Sequence, residues 1–188
     1  AMSSGTDAPG RCEGAAQQSA GVWDAEQQAA ARAAFRATRL PYAEEAYLGA
    51  ARRLDARLAA WRTIHTEACA ATQIRGEQSP DLMDRRMACL QERLAETRAL
   101  VRAFEAADAS VVERAARAAE DLRGLEGCSD LRGLTAEDPT VDPSHRGEAS
   151  ALRLRLADGW GVWAAGRYEA AGALGSAVAR EAEALGAC

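Results

Sequence analysis

Lysine is absent from this chain, so all 23 of its basic residues are arginine. The absence excludes several catalytic classes. A P-loop needs a lysine on the phosphates of its nucleotide, a protein kinase needs its strand lysine, and Schiff-base chemistry needs an amine. Arginine in place of lysine, with abundant alanine and glycine, is also typical of GC-rich bacterial genomes.

Residues that disfavour helices are scarce as well. The chain is poor in β-branched residues and has only five prolines among 188 residues, whereas alanine, arginine, glutamate and leucine are abundant. These abundant residues form helices readily, and a chain of this length can bury one good core or two small ones. We therefore predict an all-α fold.

Basic surface charge and long apolar runs are also missing. The net charge is −5 and the isoelectric point is near 5.2, which argues against a nucleic-acid partner. No segment approaches the roughly 18–20 apolar residues that cross a bilayer, and the start lacks the pattern of a signal peptide. The chain itself is expected to be soluble.

Helix start and stop signals recur along the sequence. Asp24 with Gln27 has the spacing of a capping box, and Ser79 followed by Pro80 begins a new helix just after Gly76. Together with the spacing of apolar residues, these signals predict helices over residues 12–20, 24–38, 41–75, 80–107, 110–122, 128–134, 142–165 and 168–185.

The two longest predicted helices, 41–75 and 80–107, are separated only by a short polar turn. We expect them to fold back on each other as an antiparallel hairpin within a helical bundle or array. Gly159-Trp160-Gly161, farther along the chain, lacks a preceding strand and the spacing of a phosphate loop. It is interpreted as part of a closely packed helix.

Five cysteines are present. Cys69 and Cys89 lie at similar distances from the hairpin turn and hence, at roughly 1.5 Å per residue, at similar heights on antiparallel helices, so a disulfide between them is geometrically reasonable. Cys12 and Cys128 are then the candidates for a second pair, and Cys188 is left over. Four cysteines allow three connectivities, so oxidation can be predicted without this particular pairing.

Two other interpretations of the cysteines stay open. They could be free thiols, or His65 and Cys69, at i and i+4, could share a metal ion with Cys89. Structural zinc usually takes four ligands that include a CxxC pair, which the chain lacks. We therefore expect no metal and no cofactor, and we interpret His65, next to Trp61 on an apolar stripe, as a core residue.

No combination of residues points to catalysis. The acidic pairs Glu44-Glu45 and Glu181-Glu183 have no histidine or metal-ligand partner at a useful spacing, so we assign them no acid/base role and predict a non-enzymatic chain.

One alternative function is the binding of a small ligand between the long helices. The pocket would be lined by Trp61, His65, Met83 and Met87.

Residues 135–147 contain two prolines, several acids and one histidine, and are interpreted as an exposed linker. This boundary divides the chain into a cloning scar with a flexible lead (1–11), a disulfide-linked helical domain (12–134) and a C-terminal helix pair (148–188). A single helix pair cannot bury its own face, so it must pack on the preceding helices or on repeats beyond Cys188, and we expect the pair to be truncated.

The C-terminal pair, from Leu154 to Leu185, resembles one tetratricopeptide repeat. Gly166 would make the turn, Tyr168 would pack between the two helices, and Ala171 would permit their close approach.

The segments VWDAEQQAAARAAFRATRLPYAEEAY and TEACAATQIRGEQSPDLMDRRMACL, with the Cys128 segment and the repeat-like end, resemble one known arrangement. It is the helical region between the membrane anchor and the tetratricopeptide array of large serine/threonine protein kinases from myxobacteria and their relatives. The resemblance covers roughly Cys12 to Leu185, and the block from Glu67 to Leu90 is its most specific part.

In such proteins a cytoplasmic kinase domain precedes one transmembrane helix, and the helical region lies outside the cytoplasm. That location would agree with oxidised cysteines. The resemblance implies no kinase activity here, because the glycine-rich loop, the catalytic lysine and the HRD-like and DFG-like elements are missing. It implies a signal-transduction module, a sensor or scaffold that presents a helical surface to a protein or peptide partner and meets the membrane only through other parts of the parent protein.

Overall fold

The computed structural model describes residues 12–135 and 143–185. Every regular element in these two ranges is helical, which confirms the all-α prediction. Short 3₁₀ turns at Glu126–Cys128 and Pro143–His145 accompany the α-helices. The α-helices of the described ranges are α1 (Ala15–Ser19), α2 (Ala25–Ala37), α3 (Ala43–Gln73), α4 (Pro80–Glu105), α5 (Ala109–Glu120), α6 (Leu131–Thr135), α7 (Arg146–Ala164) and α8 (Tyr168–Ala184).

The predicted capping signals operate at two of the helix starts. Asp24 and Gln27 form the capping box of α2, and the hydroxyl oxygen of Ser79 accepts a hydrogen bond from the backbone N–H of Leu82 at 3.2 Å. Gly76 adopts φ +64°, a conformation that favours glycine, in the turn between α3 and α4. The predicted helical hairpin is therefore confirmed.

Two predicted helix starts were displaced by local hydrogen bonds. The Asp108 carboxylate accepts from the backbone N–H of Val111 at 3.0 Å, so α5 begins before the predicted Ser110. Before α3, the backbone N–H of Ala43 donates to the carbonyl of Leu40 at 3.1 Å, and this turn delays the helix past Pro41.

Aromatic side chains from three helices form the centre of the core. The ring of Phe35 in α2 packs edge-on against Tyr47 in α3 at 5.9 Å and against Phe104 in α4 at 5.4 Å between ring centroids. Trp61 in α3 is buried, and its indole N–H donates to the carbonyl of Leu90 in α4 at 2.7 Å. The two arms of the hairpin are thus joined by apolar contact and by a buried hydrogen bond.

A carboxylate is also fully buried in this interior. Glu96 in α4 accepts hydrogen bonds from the guanidinium groups of Arg93 and Arg123 and from the backbone N–H of Arg123. Arg57 of α3 lies 3.9 Å from the same carboxylate and donates to the hydroxyl of Thr97 at 2.9 Å. Burial lowers the pKa of Arg57 to about 10, so this guanidinium is still charged at pH 7. The buried negative charge is therefore neutralised by neighbouring arginines.

Helix α7 packs directly along α4 at a glycine. A Cβ atom at Gly161 would lie 2.2 Å from the carbonyl oxygen of Glu96 and 2.7 Å from the Cβ of Ala99. Only a residue without a side chain permits this approach, which confirms the interpretation of Gly159-Trp160-Gly161 as a closely packed helix. The C-terminal helix pair consequently rests on the long hairpin.

Disulfide bonds join Cys12 to Cys69 and Cys89 to Cys128, with Cα–Cα distances of 5.6 Å and 5.4 Å. The four cysteines predicted to be oxidised are therefore oxidised, but the predicted pairs Cys69–Cys89 and Cys12–Cys128 are wrong. Similar heights on antiparallel helices are not sufficient, because the two side chains must also face each other.

Cys69 faces the segment that leads into α1, whereas Cys89 faces the 3₁₀ turn at Glu126–Cys128. A further contact holds that turn, since the buried guanidinium of Arg86 donates to the carbonyl of Cys128 at 3.3 Å. The sulfur atoms of Cys69 and Cys89 are bonded elsewhere, so they are not free to share a metal ion with His65. Cys188 lies outside the described residues.

Much of the predicted domain boundary also falls outside them. Helix α6 ends at Thr135 and α7 begins at Arg146, so only the two ends of the proposed linker 135–147 are described. The lead 1–11 is likewise outside the described ranges, and the division into domains stays a prediction. Among the helices described, none combines the length and the apolar character that crossing a bilayer requires.

Candidate functional site

The residues predicted to line a ligand pocket contribute mainly to the core. Trp61 and His65 stack with ring centroids 5.0 Å apart, and only 1% and 5% of their surfaces are exposed. Met87 is partly buried and packs against the core, while the sulfur of Met83 lies 4.0 Å from the side-chain amide of Gln73. The structure brings Trp61 and His65 together as predicted for core residues, and a ligand pocket at these four residues stays a prediction.

His65 has an unusual environment for a polar side chain. Neither of its ring nitrogens has a hydrogen-bond partner among the residues that the structure describes. Burial lowers the pKa of His65 from its ordinary value near 6.5, so the ring is neutral at pH 7. Because the pKa of His65 differs between the folded and unfolded states, this residue makes the free energy of unfolding depend on pH.

One member of each acidic pair is engaged in a surface ion pair. Glu44 accepts hydrogen bonds from Arg32 and Arg36, and the bond from Arg32 contributes most to lowering the pKa of this carboxyl to about 2. Glu181 pairs with Arg155, which likewise lowers its pKa. A carboxylate held in its ionised form in this way is poorly suited to donate a proton near neutral pH.

The most distinctive surface of the molecule lies where α7 turns into α8. Trp160 and Trp163, at i and i+3 on α7, pack edge-on with ring centroids 5.7 Å apart. Tyr168, at the start of α8, lies 5.8 Å from Trp163. Exposed fractions of these residues are 39% for Trp160, 42% for Trp163 and 48% for Tyr168. Three aromatic rings thus form one continuous exposed patch.

An arginine lies at each end of this patch. The guanidinium of Arg123 is positioned over the ring of Trp160 at 5.7 Å, and that of Arg114 over the ring of Tyr168 at 5.3 Å. Arg114 also donates a hydrogen bond to the Tyr168 hydroxyl. Such arrangements attract a cation to the face of an aromatic ring. We call these five side chains, Arg123, Trp160, Trp163, Tyr168 and Arg114, the aromatic surface.

The aromatic surface is held in place by the core beneath it. Arg123 is anchored to the buried carboxylate of Glu96, and Ala164 and Ala165, just after Trp163, are buried. Gly166 adopts φ +82°, which lets the chain reverse so that α8 begins beside α7. The rings are consequently held in place on the surface by the structure beneath them.

The positions predicted from the repeat-like pattern agree with the structure for some residues and not for others. Gly166 does form the turn between α7 and α8. Tyr168 does not pack between the two helices as predicted, because its ring lies on the outside, against Trp163 and beneath Arg114. Ala171 is partly buried on α8. The repeat-like pattern therefore predicted the turn but did not predict the aromatic surface beside it.

A signal for that surface was present in the sequence. Two tryptophans at i and i+3 lie on one helix face, and Trp163 is followed five residues later by Tyr168. The exposure of this face could not be read from the same pattern, because a buried stripe has the same spacing.

Comparison with known proteins gives no match to a family model, to a curated protein or to a solved structure.

Proposed function

We propose that this chain is a non-catalytic protein-interaction module that binds a protein or peptide partner through the aromatic surface. The observation that carries the proposal is the continuous exposure of Trp160, Trp163 and Tyr168 between two arginines. Contiguous exposed apolar patches on monomeric proteins often mark interaction sites.

The residue types of the aromatic surface support this function. Tryptophan, tyrosine and arginine are enriched among the interface residues that contribute most to binding energy. The side chains of tryptophan and tyrosine combine a large apolar area with few rotatable bonds, so little conformational entropy is lost on binding. The anchoring of Arg123 to Glu96 reduces that loss further.

The charges suggest the chemistry of the partner. Arg114 stacks on Tyr168 and has no acidic partner among the described residues, whereas Arg123 is paired with the buried carboxylate of Glu96. A peptide with an apolar or aromatic centre and an acidic group at the Arg114 end would complement this arrangement.

The wider setting is proposed from the family resemblance. We infer that the module is a sensor or scaffold in the part of a bacterial, membrane-bound serine/threonine kinase that lies outside the cytoplasm, next to tetratricopeptide repeats. Two disulfides are compatible with an oxidising compartment. The gene sequence on the N-terminal side of this region tests the inference: a kinase domain and one membrane span are expected there, and their absence would contradict it.

The binding function can be tested with random peptides displayed on phage and selected against the intact chain. Peptides that share an apolar and acidic motif are expected, and Trp163→Ala should weaken their binding by at least about ten-fold. Tyr168→Ala should weaken it too.

Tyr42→Ala is the matched control for Tyr168→Ala. Tyr42 is 44% exposed, close to the 48% of Tyr168, but it lies before α3 and outside the aromatic surface. Selected peptides should bind this variant like the wild type. The proposal is wrong if no motif is enriched, or if the enriched peptides bind the Trp163→Ala variant as well as the parent.

A further inference from the structure

A second surface feature is a cleft between α4 and α7. Its volume is about 410 Å³, within the usual range of roughly 300–1,000 Å³ for small-molecule sites. Gln18 of α1 and Gln91 of α4 are among the residues that line it. Neither the aromatic surface nor any of the four residues of the predicted ligand pocket lines it.

The floor of the cleft is apolar. Leu94 and Ala95 of α4 are buried, with 5% and 7% of their surfaces exposed, and Leu154 of α7 is partly buried beside them. Side chains of this kind would cover the apolar part of a ligand and gain roughly 25 cal/mol for each Å² removed from water.

The rim carries an excess of positive charge. Three arginines, Arg98, Arg102 and Arg155, line the cleft together with one acid, Asp158. Asp158 pairs with Arg102 at 3.2 Å, and Arg155 pairs with Glu181 of the neighbouring helix α8. One positive charge is therefore left uncompensated even when Glu181 is included.

That remaining charge belongs to Arg98. Its side chain is exposed on α4 and makes no hydrogen bond or ion pair within the described ranges. Among the arginines that line the cleft, Arg98 alone lacks an acidic partner within the described ranges. An unpaired guanidinium beside an apolar floor has the two properties needed to bind an amphipathic anion.

We propose that this cleft binds a small organic carboxylate with an apolar body. The carboxylate lies against Arg98, where a guanidinium can donate two parallel hydrogen bonds, and the apolar body lies over Leu94 and Leu154. The ligand site is independent of the aromatic surface, so either could exist without the other.

The test is a calorimetric titration of the intact chain with 4-phenylbutyrate, which carries a carboxylate on a short apolar body. Binding is expected, and added salt should weaken it because an ion pair at an exposed rim is screened. Two further probes separate the contributions. The neutral alcohol 4-phenylbutan-1-ol lacks the charge, and inorganic phosphate lacks the apolar body, so each should bind at least about ten-fold more weakly.

Arg98→Gln should reduce the affinity for 4-phenylbutyrate by about ten-fold, the loss expected for a hydrogen bond to a charged group. Arg52→Gln is the matched control, because Arg52 is also exposed and unpaired in the described ranges but lies on α3, away from the cleft. It should leave the affinity unchanged. Thermal unfolding of both variants would verify that each is folded.

Three results would overturn the proposal. They are a failure of 4-phenylbutyrate to bind at millimolar concentration, equal binding of the alcohol and the carboxylate, and equal affinities of the Arg98→Gln variant and the wild type.

Discussion

The long hairpin and the C-terminal helix pair differ in how deeply they bury their aromatic residues. In the hairpin, Trp61 and Phe104 are buried and contact residues of neighbouring helices. In the helix pair, Trp160 and Trp163 are about two-fifths exposed, and the only buried side chain of α8 is Val178. The contrast shows that aromatic content alone does not define a core, because a helix packed on only one side leaves its other faces in solvent.

Replacement of a tryptophan in each region should give the largest difference. Trp61→Ala is expected to lower the free energy of unfolding by about 3–5 kcal/mol, because it leaves a cavity and removes the hydrogen bond to Leu90. Trp163→Ala should lower it by less, about 1–2 kcal/mol, because two-fifths of this residue is already in solvent. Urea denaturation measures both values. Similar losses for the two variants would mean that the helix pair is as tightly packed as the hairpin.

The two regions also differ in covalent cross-linking, because each of the two disulfides has one cysteine in the hairpin. Cys12→Ala combined with Cys69→Ala should destabilise the protein by about 4 kcal/mol in the loop-entropy model, given a sequence separation of 57. Peptide mapping without reductant should recover the peptide of Cys12 linked to that of Cys69. A peptide that joins Cys69 to Cys89 would instead restore the pairing predicted from sequence.

Alanine substitutions at two glycines, one in each helix of the C-terminal pair, should have smaller effects on stability and of opposite sign. Gly161→Ala should cost about 1–3 kcal/mol, because the added methyl group meets the backbone of α4. Gly172→Ala, in the middle of α8, should raise the free energy of unfolding by about 0.5–1 kcal/mol, because its Cβ would have no atom within 4 Å and alanine favours helix. Thermal unfolding of the two variants is the measurement. Tolerance of alanine at position 161 would show that α7 does not sit closely on α4.

The smallest expected effect concerns pH. The folded-state pKa of His65 is lowered by burial, so the folded protein binds fewer protons than the unfolded chain. Stability is therefore complete above the ordinary histidine pKa near 6.5 and decreases as the pH falls below it. Denaturation at pH 7.5 and 5.5 should show this decrease in the wild type.

In a His65→Leu variant the decrease should be smaller. An identical slope in the His65→Leu variant would assign the acid sensitivity to other groups.

Much of the fold could be predicted from the sequence because its signals are local. Capping residues such as Asp24 and Ser79 satisfy backbone groups within one turn of the same helix, so they mark helix starts wherever the helix packs. The disulfide pairing was not accessible in this way. It depends on the rotation of each helix about its own axis, and Cys69 and Cys89 were placed by height alone.

The candidate sites depend even more on tertiary structure. Arg98 and Arg155 face one cleft only because α7 returns across α4, and Arg123 reaches Trp160 only because a buried carboxylate holds it. No spacing rule links residues so far apart in sequence. Arginines and tryptophans could be listed in advance as candidates, but their grouping could not.

The disulfide pattern has a consequence for how the protein can mature. Each cysteine from Cys12 to Cys128 is joined to its immediate neighbour along the chain, so the two covalent loops follow one another and do not overlap. If the chain is delivered N-terminus first into an oxidising space, the first native bond can close as soon as Cys69 arrives, before Cys89 is present to compete. The second then closes on the only two thiols left among these four. In that setting the order of arrival by itself favours the native connectivity of these four cysteines.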